Sequence, residues 1–268
     1  MANSINTNYG AAIALQNLNK TNAQLETTQN RINTGQKVSS AKDNGAIFAI
    51  ATTQRANMGA MDAVKNSLQR GQSIVDVALA AGDTATSALE EMKALAVNIA
   101  SSTGDAQTAY LADYNALGKE VASALSGASF DGANLWTTAA VTNLTTNTSG
   151  GTYGIGFAAA PSADATLTAV NTGAITAANA TVANVDAAIK TVTTSLATLG
   201  TQSKSVGRQM TFVNKLQDAT EAGIGNLVDA DLAKESAKLT ALQTKQQLGV
   251  QALSIANSSS SILMSLFR

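Results

Sequence analysis

Val182, Val185, Ile189, Val192, Leu196, Leu199, Ser203, Val206, Met210 and Val213 recur at intervals of three and four without a break. Only an α-helix brings such positions to one face, so the stretch reads as a single helix of roughly 50–60 Å, at ~1.5 Å per residue. β-branched residues crowd its first half and would suit a strand. Strand neighbours, however, share a face at every second residue, and this stripe does not. The chain holds one proline, Pro161, so neither side of it carries a helix breaker of that kind.

Other segments repeat the period. Ala11, Leu15, Leu18, Asn22, Leu25, Gln29 and Ile32 step by four and three, a stripe interrupted by two polar side chains that either fix register or face solvent. Gly35 supplies a C-cap, and Ser40 followed by Asp43 reads as a capping box that opens a second helix, with a boundary near 35–41. From Ala41 to about Ala100, Met58, Met61, Leu68, Val75, Leu79, Leu89, Met92, Ala96 and Ile99 stay near one face. Gly59, Gly71 and Gly82 each weaken that helix by up to ~1 kcal/mol relative to alanine, so it needs tertiary support. Ser101–Asp105 is a turn into a shorter antiparallel helix striped by Tyr110, Tyr114, Leu117, Val121 and Leu125. After Gly223 and Gly225 a last stripe runs Leu232, Leu239, Leu242, Gln246, Gly249, Leu253, Ala256 and Leu263.

Between Gly132 and Val185 the only charged side chain is Asp164, and the composition turns to Thr, Ala, Asn and Gly. Val141–Thr146 and Thr152–Phe157, separated by Asn147-Thr148-Ser149-Gly150-Gly151, read as a β-hairpin that must lean on the helices, because a lone hairpin is marginal. The fold class is therefore mainly α: an elongated antiparallel helical bundle with a terminal coiled-coil helix pair and a small β-hairpin insertion. Residues 1–38 with 227–268 form the terminal pair, 39–131 with 182–226 a helical rod, and 132–181 a small hairpin and loop segment.

The missing residues narrow the chemistry. With no Cys there is no disulfide frame, thiolate nucleophile or Cys-based metal site. With no His the commonest general base and metal ligand are absent, so no catalytic, cofactor or metal site is expected. Glu90-Glu91 and the set Asp229, Asp231 and Glu235 read as solvated faces, since adjacent helical positions point in different directions. Seventeen Lys and Arg against 18 Asp and Glu, spread without clusters, give no basic footprint for nucleic acid. No apolar run of 18 residues exists, so no membrane insertion is expected, and the start lacks the basic and apolar regions of a secretory signal. Taken alone, that points to the cytoplasm.

The terminal stripes are narrow and interrupted. A helix of about 30 residues built this way cannot offset its ordering entropy alone. Pairing the two ends still leaves Ile5, Ala12, Val250, Ile262, Leu266 and Phe267 uncovered. Either other copies of the chain cover them, or the pair caps an ordinary globular domain; the pattern leaves both open.

At this point the residues carry a resemblance. SINTNYGAAIALQNLNKTNAQLETTQNRINTGQKVSSAKDNGAIFAIA at positions 4–51 resembles the opening of bacterial flagellins. Residues 222–268 resemble the flagellin C-terminus, with its D-A-D-L-A helix start, Q-Q-L-G-V-Q-A-L heptads and Arg-terminated tail. Ser87–Val97 is similar to the family's rod helix, and Phe130-Asp131-Gly132-Ala133-Asn134-Leu135 to its F-N-G turn. The details most resemble the short flagellins of alphaproteobacteria.

The resemblance implies a non-enzymatic subunit that polymerises, in many copies, into the flagellar filament for swimming motility. The terminal pair becomes the inner core and the rod the layer around it, with no large outer domain in 132–181. The self-assembly core would comprise Leu15, Leu18, Leu25, Ile32, Leu232, Leu239, Leu242, Leu253, Leu263 and Phe267. Expected partners are sister subunits, junction and cap proteins, the flagellar export apparatus of type III and a chaperone; expected localisation is extracellular, overturning the cytoplasmic reading. Candidate O-glycosylation sites are Thr137, Thr138, Thr142, Thr145, Thr146, Thr148 and Ser149. A hook–filament junction protein shares such terminal helices, and an adhesin on a coiled-coil stalk is the alternative of another class, with Trp136, Tyr153 and Phe157 as the only aromatics for its tip.

Overall fold

The structure is a computed structural model that describes residues 8–265, with side chains through Ser258. Ile5, Leu266 and Phe267 lie outside the described residues, as do the side chains of Ile262 and Leu263. The elements in chain order are α1 (Tyr9–Thr34), α2 (Gly45–Ser101), α3 (Asp105–Gly127), β1 (Thr142–Thr145), β2 (Thr152–Ile155), α4 (Ala165–Asn171), α5 (Val182–Val228) and α6 (Leu232–Ser265). The fold is the mainly helical bundle with a hairpin that the periodicities imply. Two compact units divide it, residues 1–56 with 219–268 and residues 57–218.

In the second unit the stripe of α5 is the core face. Val185, Val192, Leu199 and Val206 are fully buried and Val213 nearly so, while Ile189, Leu196 and Met210 are partly buried against them. Leu68, Val75, Leu89, Met92 and Ile99 of α2 and Tyr114, Val121 and Leu125 of α3 complete the same core. Gln72 Nε2 donates to Ser203 Oγ at 2.7 Å and Gln217 Nε2 to Asp62 Oδ1 at 3.0 Å, which sets α2 and α5 antiparallel. Lys93 Nζ meets Asp186 Oδ1 at 2.6 Å further along the same pair.

Two of the glycines expected to weaken α2 are notches. A Cβ at Gly71 would collide with the Leu144 side chain of β1, and one at Gly82 would collide with Leu196 and stand 2.7 Å from Trp136 Cζ2. Sequence propensity registers their cost; only the packed hairpin and Trp136 reveal their use. Gly59 faces open space.

The hairpin pairs Thr142 with Ile155 through to Thr145 with Thr152, antiparallel as expected. It leans on the helices through Leu144 and Ile155, both fully buried, and through Thr145 N–H, which donates to Ser67 Oγ at 3.1 Å. Trp136 is fully buried and donates Nε1–H to Ala78 O at 2.8 Å, with Phe157 beside it at a ring distance of 6.3 Å. These aromatics serve the core, so they offer no adhesive tip. The F-D-G turn closes with two bonds of 3.0 Å between Phe130 and Ala133, and Asp131 (φ 49°) and Gly132 (φ 75°) both occupy the left-handed region. Asn134 then caps the end of α3 by donating to Leu125 O and Ser126 O, both at 2.9 Å.

Residues 132–181 also hold α4, which the sequence reading passed over. Its seven residues are too few for a period, yet Leu167 and Val170 are fully buried and Asp164 Oδ1 caps it by accepting from Thr166 N at 2.9 Å. Gly118 of α3 admits it: an added Cβ would stand 2.6 Å from Val170 O.

Candidate self-assembly face

The first unit is an antiparallel pair, α1 against α6, closed at one end by two linkers. Asn8 Oδ1 accepts from Ala11 N at 2.9 Å as the N-cap of α1, and its Nδ2 donates to Ala256 O at 2.7 Å. Further along, Leu18 lies over Gly249, and Gln246 Nε2 donates to Asn22 Oδ1 at 2.8 Å. Arg31 then meets Glu235 at 3.1 Å, and Lys238 Nζ lies 3.8 Å from the other oxygen of that carboxylate. Polar pairs thus recur at intervals along a narrow apolar seam and mark its register, with the Asn22–Gln246 bond at the exposed edge. Of the interrupting residues, Asn22 and Gln246 pair with each other, and Gln29 is exposed.

On α1 the covered positions are Ala11, Ala14, Leu18, Thr21, Leu25, Thr28 and Ile32, a heptad seam in a different phase from the expected stripe. The two phases share every seventh residue, so Leu18, Leu25 and Ile32 belong to both. Thr28 is fully buried, whereas Leu15 is 48% exposed on the flank. On α6 the seam is Glu235, Leu239, Leu242, Gln246, Gly249, Leu253 and Ala256, of which Leu242 is buried to 4% exposure. Leu232 sits at the helix start and is half exposed. The structure therefore brings Leu18, Leu25, Ile32, Leu239, Leu242 and Leu253 together, and leaves Leu15 and Leu232 outside the seam.

The linkers are stapled. Lys37 N–H donates to Val228 O at 2.7 Å, Ala230 N–H to Gly35 O at 2.9 Å, and Lys37 Nζ to Asn226 O at 2.9 Å. Gly35 ends α1 in the left-handed conformation, φ 70°, as expected of the C-cap. The expected capping box is different in kind. Asp43 Oδ2 accepts from the backbone and hydroxyls of both Ser39 and Ser40 at 3.0–3.1 Å, and those bonds, Ser40 N–H first, hold its carboxyl below the ordinary value. Asn44 is the residue that caps α2, accepting from Ala46 N and Ile47 N at 3.1 Å each, so α2 opens at Gly45 and not at Ala41. At the other linker α5 runs through Gly223 and Gly225 to Val228, and Asp231 caps α6 by accepting from Lys234 N at 3.1 Å.

The seam consumes one face of each helix. On the other faces Ile13 (42%), Leu248 (63%), Val250 (54%) and Ile255 (62%) stand in the open with Leu15. Val250 was expected there; Leu248 and Ile255 were missed. Their seven-residue spacing was the available signal. Leu248 and Ile255 align on one face of α6 while Val250 lies about half a turn away, so the pair exposes apolar side chains on more than one side, which marks it as an interaction surface. Among the candidate sugar acceptors, Thr137, Thr138, Thr148 and Ser149 are exposed, while Thr142, Thr145 and Thr146 are half-buried. Among the described residues no group of acidic side chains could hold a metal, and no helix is long and apolar enough to cross a membrane.

Residues 5–140 match the family described as the bacterial flagellin N-terminal helical region, and residues 182–267 the bacterial flagellin C-terminal helical region. Relatives aligned along nearly their whole length include flagellin FljN of Caulobacter vibrioides (54% identical, 99% of each chain) and flagellin FljM of the same organism (52%, 99% of each). A flagellin of Brucella melitensis is 37% identical, again over 99% of both chains.

Proposed function

The chain belongs to the bacterial flagellin family, and from that premise we propose that its α1–α6 pair is the surface through which it joins its neighbours. It is a structural subunit of the flagellar filament. The observation that carries the proposal is the set of exposed apolar side chains, Leu248, Val250 and Ile255 on α6 with Ile13 and Leu15 on α1, left open beside the narrow seam of the pair. Sister subunits are the partners of matching chemistry, because a two-helix pair this thin gains its apolar burial only in company.

In this reading residues 1–38 with 227–268 form the inner core, 39–131 with 182–226 the layer around it, and 132–181 no protruding domain. Leu18, Leu25, Ile32, Leu239, Leu242 and Leu253 hold the pair itself, and Leu15 and Leu232 join the contact between subunits. Leu263 and Phe267 belong to that same contact between subunits. Junction and cap proteins, the flagellar export apparatus and an export chaperone are the further partners, and the extracellular filament is the destination. If sugars are attached, Thr137, Thr138, Thr148 and Ser149 are the acceptors, since their hydroxyls are in the open.

Removing residues 250–268 tests the reading. Filament growth should be abolished while the helical signal of the remaining chain persists; filaments of normal length from that truncation contradict it.

A further inference from the structure

We propose that Phe212 of one subunit docks into the groove between α2 and α3 of a second copy of this chain, with Arg208 pairing to the acidic rim of that groove. This rests on the filament reading and names a second contact, made by the unit of residues 57–218.

Phe212 is 59% exposed on α5, the most open large apolar side chain among the described residues of that unit. It is flanked by the exposed cations Arg208 and Lys215, and among the described residues neither makes a side-chain bond. The groove is a cleft of about 470 Å³ floored by Ala94 and Leu95 of α2 and Ala116 and Leu117 of α3, with Glu91 and Asp113 on its rim. Neither carboxylate has a hydrogen-bond or ion-pair partner among the described residues. An aromatic knob beside a cation thus faces the chemistry of an apolar floor beside carboxylates, the complementarity that sets orientation and partner choice at interfaces.

The two features cannot meet within one subunit. The bonds Gln72–Ser203 and Asp62–Gln217 set Phe212 beside the part of α2 near Lys65. Glu91 and Leu95 lie some 26 to 30 residues further along α2, on the order of 40 Å at ~1.5 Å per residue. A knob and a groove at different places on one surface make a heterologous contact, which propagates from copy to copy and builds an open helical array wherever its rotation does not close a ring.

The natural chain has no Cys, so a double variant, Ala94→Cys with Phe212→Cys, reports the contact directly. Filaments grown from it and oxidised should give a ladder of disulfide-linked dimers, trimers and higher species on a non-reducing gel, while each single variant stays monomeric. Filaments that yield only monomer from the double variant would overturn the contact. So would ladders that form equally from the single variants. As a second arm, Arg208→Glu should slow elongation roughly tenfold and adding Glu91→Arg in the same chain should restore it; elongation unchanged by Arg208→Glu overturns the pairing. A truncation lacking 250–268 that grows normal filaments overturns the terminal-pair reading and leaves this contact standing, so the two failures are distinguishable.

Discussion

Leu18 of α1 rests on Gly249 of α6: a Cβ built on that glycine would stand 3.2 Å from Leu18 Cδ1. The antiparallel pair closes there because a residue without a side chain meets the largest side chain in that part of the seam. A Cβ alone asks Leu18 to give by only a few tenths of an ångström, but the branched methyls of Gly249→Val should displace Leu18 from its place over the helix, at a cost of about 1–3 kcal/mol. Limited proteolysis of the terminal unit should accelerate and filament growth should slow. Unchanged proteolysis would show that the helices do not meet at this register.

Gly82 makes a second prediction at a site with its own reporter. The chain has one tryptophan, Trp136, whose ring edge occupies the space a side chain at position 82 would need. Gly82→Leu should displace the ring, lose the Nε1–H bond to Ala78 O and destabilise the unit by about 2–4 kcal/mol. A red shift in tryptophan emission and a lower denaturation midpoint are the readouts.

Both glycines illustrate how much could be read in advance. The α5 stripe was legible because ten positions kept one period, and the hairpin because turn residues separate two Thr-rich runs. The seam of α1 was legible only at every seventh residue. Leucine at position 15 outweighs alanine at 14 in any reading of hydrophobic pattern, yet the close approach to α6 at Gly249 favours Ala14, Thr21 and Thr28 in the contact and turns Leu15 to the flank. Gly71 and Gly82 are notches only once Leu144 and Trp136 are placed, residues far away in the chain. Asn44 replaces Ser40 as cap because Asp43 turns back to satisfy two serine amides, a choice between two equally good local signals.

Acid should loosen the linker between α1 and α2. Asp43 has a carboxyl held below its ordinary value of 3.8 by bonds from Ser40 and Ser39. Its folded value is the lower one, so its contribution is present above pH 3.8 and fades as pH falls through the lowered value. Amide exchange at Ser39 and Ser40, corrected for its intrinsic pH dependence, should report weaker protection in that acid range, and Asp43→Asn should remove the pH dependence there.

Alkali acts on the other unit. Tyr114 is fully buried, and burial pushes its phenol up to about 12 from the ordinary 10.0. The folded state thus prefers the neutral phenol, and the stability this provides is intact below pH 10.0 and lost as pH rises toward about 12. Tyr114→Phe should flatten that alkaline decline in denaturant unfolding, and ultraviolet titration of the natural chain should show a phenol, absent from Tyr114→Phe, that ionises only as pH approaches about 12.

Arg31 and Glu235 bear on register. Glu235 is only 12% exposed, so Arg31→Ala strands much of a carboxylate and should cost about 1–3 kcal/mol. Arg31→Lys should recover part of it, read as the thermal midpoint of the terminal unit.

The most direct test is hydrogen exchange along α6, compared between dilute single subunits and grown filaments. Amides of residues 248–255 should exchange quickly at high dilution and slow by at least about tenfold on assembly, as the exposed Leu248, Val250 and Ile255 are covered. Equal protection in the two states, whether fast or slow, would contradict the claim that sister subunits complete this face.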